Sequence, residues 1–126
     1  MAATASPLQT HVLPGEYAIL VLSGLVTEGC SWQLKDALLR SEQRDHGHVI
    51  VDVRQVRGMT REATRVLLWE LGRAFDDGRT VRLVVRDVHQ KRAMDGLGLA
   101  GMLPTHESLE DAIGAVDAAI ASRRSR

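Results

Sequence analysis

Three short apolar runs, at 17–26, 49–53 and 80–85, restrict the fold of this chain more than any other feature. Each is dense in Val, Ile and Leu and short for a core helix. The β-branched content suits strands buried on both faces. Between the runs lie stretches with helical spacing. A strand that follows another after a helical crossover pairs with it in parallel. The order predicts an α/β domain with a central, mostly parallel sheet of four or five strands and about four helices packed mainly on one side.

The helical stretches carry their own start and stop signals. Ser31 is placed to cap a helix running to about residue 44, with Trp32, Leu34, Ala37, Leu38 and Leu39 near helical spacing. Trp32 is expected to pack. After a loop at 54–59, Thr60 is placed to cap a second helix running to about Asp77, where Asp77-Gly78 ends it. Ala63, Leu67, Leu71, Ala74 and Phe75 form its apolar stripe, and Trp69 falls off that stripe. A short helix is expected at 89–97, a brief edge strand at 102–105 and a final helix at 107–121. Residues 1–14 read as a loose arm or edge strand, 15–121 as one domain and 122–126 as a basic tail.

Composition narrows the function classes. Sixteen basic residues balance sixteen acidic ones among 126, giving a formal net charge of zero. A domain built to coat nucleic acid or an anionic membrane calls for a basic excess instead. Cys30 is the only cysteine, so no intrachain disulfide forms, and it is expected to be a packed or idle thiol. The first eight residues lack a secretory pattern, and no apolar stretch approaches the ~20 residues that span a bilayer. The expectation is a cytoplasmic protein with no direct membrane insertion.

Several stretches, taken in order, carry a likeness to a known family. Leu20-Val21-Leu22-Ser23-Gly24 is a long strand ending in a Gly-containing turn. Val49 to Val53 ends near Asp52 and leads past Val56 and Met59 into the second helix. Val66-Leu67-Leu68 is followed by Asp77-Gly78 and the run at 81–85. Gly98-Leu99, Met102-Leu103-Pro104 and Ser108-Leu109-Glu110-Asp111-Ala112 complete the set. Over about four-fifths of the chain this resembles the STAS domain of bacterial anti-sigma-factor antagonists.

The resemblance implies a non-enzymatic binding module without cofactor or metal. It implies a partner, an anti-sigma factor with a kinase-like ATPase fold, and leaves room for self-association. In the family, a serine or threonine at the start of the second helix is phosphorylated by the partner kinase. Counted on from Asp52, that stretch is Thr60-Arg61-Glu62-Ala63, so Glu62 stands at the acceptor position and no phosphorylation is expected there. The family's Gly-Glu-Leu-Asp after the first strand is altered to Gly24-Leu25-Val26-Thr27. The implied partner-binding residues are Arg57, Thr60, Arg61, Glu62, Thr64 and Arg65. Independently of any family, a helix start favours negative charge. Glu62 therefore either imitates a phosphorylated state in part or simply suits the first helical turn.

Other signals point to no chemistry. Gly96-Leu97-Gly98-Leu99-Ala100-Gly101 matches a dinucleotide fingerprint, but it neither follows a strand directly nor opens a long helix. His46 and His48 sit near a turn without zinc-ligand spacing and read as surface residues. Asp76 and Asp77 read as solvated acids at a helix end. Two other readings stand beside the leading one: a structural docking subunit of a signalling assembly or lipid-transport complex, and a small nucleotide-binding protein using the Gly-rich stretch.

Overall fold

The computed structural model describes residues 9–13, 18–42, 48–76, 80–96 and 103–124. The strands are β1 (Gln9–Leu13), β2 (Ala18–Val26), β3 (His48–Met59), β4 (Thr80–Val84) and β5 (Thr105–His106). The helices are α1 (Ser31–Glu42), α2 (Arg61–Asp76), α3 (Val88–Met94) and α4 (Leu109–Arg124). One five-stranded sheet has the order β1-β2-β3-β4-β5. β1 runs antiparallel to β2, and every other neighbouring pair is parallel. The expected class is the one observed.

Alternation of side chains along the strands sorts the core into two layers. Val49, Val51 and Val53 join Leu20, Leu22 and Val26 beneath Ala37 of α1 and Ala63, Leu67, Leu68 and Leu71 of α2, and Met94 of α3 closes the same cluster. On the opposite face, Ile50 and Val84 pack against Ala112 and Val116 of α4. Among the described residues, three helices thus share one side, and α4 alone covers the other. Its stripe of Leu109, Ile113, Val116 and Ile120 follows helical spacing, as the sequence indicates.

The structure departs from the sequence expectations at several points. The stretch at 54–59 is strand rather than loop. β2 offers a ladder that continues through Ser23↔Gln55, Gly24↔Val56, Leu25↔Gly58 and Val26↔Met59, with register shifts that let the pairing run on. Gly24, at φ 96°, takes up one of these irregularities in a conformation that L side chains rarely adopt. Trp32 does not pack: it is 74% exposed. Ala37 faces the core, and five residues along a helix turn a side chain about 140° away from that direction. His48 is not a surface residue but is buried, with Nδ1 2.6 Å from Thr80 Oγ1. The last helix continues to Arg124, into the stretch read as a tail. Cys30 is half-buried against the core, its Sγ 3.6 Å from Thr27 Oγ1. Residues 97–101 of the Gly-rich stretch, His46 and Asp77 lie outside the described residues.

Because β4 pairs with β3 only from His48 to Asp52, the rest of β3 has no strand beside it on that edge among the described residues. Side chains take the strand's place. Gln90 Nε2 donates to the Val53 carbonyl at 2.9 Å, and Arg86 Nη1 donates to those of Arg54 and Val56 at 3.3 and 3.2 Å. Gln90 is held in turn: its Oε1 accepts from the Arg86 N–H and its own N–H donates to Asp87, the N-cap of α3.

Gly24→Ala should lower the urea midpoint by an amount equivalent to about 1–2 kcal/mol, because the left-handed conformation must be kept. Gly114→Ala, on an exposed α4 position where an added Cβ meets nothing within 4 Å, should raise stability by up to about 1 kcal/mol.

A pH dependence is also expected. Burial, with help from Arg82, pushes His106 below the ordinary imidazole value of 6.5, and Arg82 Nη1 donates to its Nε2 at 3.1 Å. The unfolded chain takes up that proton near 6.5 while the folded chain resists it. The stability from neutral His106 is therefore complete above that value and is lost as pH falls through and below it. Denaturation measured in steps down to about pH 5 should show a decline that is shallower in His106→Gln; equal slopes would remove His106 as its source.

Candidate functional site

The start of α2 is fixed from three sides. The Thr60 N–H donates to the Val26 carbonyl at 3.0 Å, which ties the helix entry to the end of β2. The Thr60 hydroxyl accepts from the Ala63 N–H at 3.1 Å, so Thr60 is the N-cap that the sequence indicates. The Thr60 carbonyl accepts from both the N–H and the hydroxyl of Thr64, each at 2.9 Å.

This geometry separates the residues named from sequence. Arg61, Glu62 and Arg65 are exposed on the first turns of α2, and Arg57 is exposed on the last part of β3. Thr60 is half-buried. Thr64 is buried, with its hydroxyl turned onto the Thr60 carbonyl. Arg57 and Thr64 both line a groove of about 290 Å³ between the end of β3 and α3, with Met59, His89 and Met94. The structure therefore brings Arg57, Arg61, Glu62 and Arg65 to the surface around one helix start and gives Thr64 a supporting place beneath it. Arg57, Arg61, Glu62 and Arg65 form no ion pair with one another.

Further along α2, Trp69 is 67% exposed. It lies two residues from both Leu67 and Leu71, which face the core, and so points away from it. Among the described residues, no three His, Cys, Asp or Glu side chains gather as metal ligands do. No described helix is long and apolar enough to cross a membrane.

Comparison with solved structures decides the fold family. RsbS from Moorella thermoacetica, in a serine-to-glutamate variant, matches with a TM-score of 0.75 at 16% identity, over 90% of this chain and 98% of that one. An anti-sigma factor antagonist from Mycobacterium paratuberculosis matches at 0.71 and 19%, over 88% and 95%. The Bacillus cell fate determinant SpoIIAA, in its phosphorylated form, matches at 0.59 and 14%, over 87% and 99%. The chain has the SpoIIAA-like STAS fold. Neither a family model nor a curated protein sequence matches it. At these identities the STAS likeness is one of architecture, carried by the sheet order and the helix layers.

Sequence reasoning missed Arg86 and Gln90, which hold the open edge of β3. Their only sequence signal is Asp87, a capping residue three positions before Gln90. The cap of α2 gives a direct test. Thr60→Ala should cost about 1 kcal/mol of stability in chemical denaturation. Thr60→Ser, which keeps the accepting oxygen, should restore most of that loss.

Proposed function

We propose that this STAS-fold chain is a non-enzymatic regulatory module, an anti-anti-sigma factor that docks on an anti-sigma factor with a kinase-like ATPase fold and so frees a sigma factor. The observation that carries the reading is the exposed set Arg61, Glu62 and Arg65 on a capped helix start, in a fold shared with anti-sigma factor antagonists. Arg57 extends the surface from β3. Thr60 and Thr64 shape it from below. Any nucleotide chemistry belongs to the partner.

Glu62 gives this module its particular character. Standing where the family carries its phosphate acceptor, it places about one negative charge permanently at the second position of α2. A phosphate there adds roughly −1.5 to −2. The neighbouring hydroxyls are poor substitutes as acceptors: Thr60 accepts from the helix and Thr64 is buried. The missing hydroxyl also favours a second reading, a docking subunit of a larger assembly that runs no phosphorylation cycle.

The test takes each kinase-like anti-sigma factor that the same genome encodes. Arg61→Glu combined with Arg65→Glu should weaken its binding by about tenfold or more in calorimetry, since interface charges set association and specificity. The circular-dichroism spectrum should be unchanged, as exposed charges move stability by less than about 0.5 kcal/mol. Glu62→Ser should bind more tightly and accept phosphate from the partner with ATP. Unchanged affinity in both variants would move the interface elsewhere, and absence of wild-type binding would favour the docking subunit.

A further inference from the structure

A cleft of about 490 Å³ opens where the paired ends of β2 and β3 meet the segment after β4. Arg54, Arg57 and Arg86 line it, together with Gln9, Ser23 and Gln55, and no acidic side chain does so among the described residues. Three guanidinium groups share one concave surface in a chain of zero net charge.

Two of the three are held from behind. Asp52, only 2% exposed, accepts from Arg54 Nε at 3.0 Å and from Nη2 at 2.9 Å, and its Oδ1 also accepts from the Arg54 backbone N–H at 3.0 Å. Arg86 is fixed by Nη1 on the carbonyls of Arg54 and Val56, with Nε 3.5 Å from Asp87 Oδ2. Those bonds leave Nη1 of Arg54 and Nη2 of Arg86 without a hydrogen-bond partner among the described residues. Arg57 makes no ion pair there, so its charge is not offset.

Guanidinium groups already fixed in place lose little freedom when they bind, and their planar N–H forks match the oxygens of phosphate and carboxylate. Gln9, Gln55 and Ser23 add neutral donors around the rim. The volume lies within the range that holds a small ligand. The carboxyl ends of parallel strands are also where open α/β sheets usually receive one. We infer that this cleft binds a small, multiply charged oxyanion, a phosphate ester or a polycarboxylate, anchored by Arg54, Arg57 and Arg86. The inference does not rest on the proposed role of α2.

The experiment titrates the full-length, isotope-labelled protein with inorganic pyrophosphate in one arm and citrate in the other, at low ionic strength, by nuclear magnetic resonance. Saturable shifts should centre on Ser23, Gly24, Arg54, Gln55, Arg57 and Arg86, and the stronger arm identifies the ligand class. Arg57→Gln, an exposed position, should weaken that binding by about tenfold. Arg40→Gln, on α1, should leave it unchanged. The inference is overturned by no saturation in either arm at roughly 10 mM, by shifts centred on Arg61 and Arg65, or by undiminished affinity in folded Arg57→Gln; 10 mM lies an order of magnitude above the weakest affinity, about 1 mM, that a specific small-ligand site is expected to show.

Discussion

Val49, Val51 and Val53 of β3 face the layer built by α1 and α2, while Ile50 faces α4, so the first half of this strand meets water on neither side. A strand in that position must be apolar at successive residues and needs paired neighbours on both edges. β2 and β4 supply them in parallel, which forces the crossovers that carry α1 and α2. The one polar side chain in the buried run after His48 is Asp52, and its carboxylate is met by Arg54. Burial and pairing of one strand thus set the order of the whole sheet.

The same strand delivers the surface read as functional. β3 runs to Met59, and the next residue caps α2 while bonded to the end of β2. The helix start therefore cannot shift without disturbing the β2–β3 ladder. Arg61, Glu62 and Arg65 ride on a helix start tied to the end of β2. Trp69 extends the exposed face of that helix, in a chain with only four aromatic side chains besides histidine.

The strands at 18–26 and 80–84 and the helices α2 and α4 were legible because apolar period and length agree there. Thr60 was legible as a cap because a hydroxyl preceded an apolar stripe. The second half of β3 was not, since Arg54-Gln55-Val56-Arg57-Gly58-Met59 has no apolar run; its strand character comes from a partner more than twenty residues away in sequence. The exposure of Trp32 was not legible, because a large aromatic suggests burial while its helical angle from buried Ala37 turns it outward. The inward turn of Thr64 depends on one carbonyl four residues back, which spacing does not disclose. Arg86 and Gln90 act at a distance of thirty or more residues on backbone atoms, which no residue pattern records.

β3 has twelve residues and β4 five, and the difference in length leaves a row of carbonyls that two long side chains cover. During synthesis, β2 and β3 leave the ribosome before residues 86 and 90 emerge from it. The growing chain therefore presents a bare strand border at its most apolar moment, when another copy can add to it. Only once α3 has emerged and folded does the protein carry its own guard. Polysomes crowded with this message would be the place where the chain is most vulnerable to tangling, and the finished molecule the form in which that danger has been folded away.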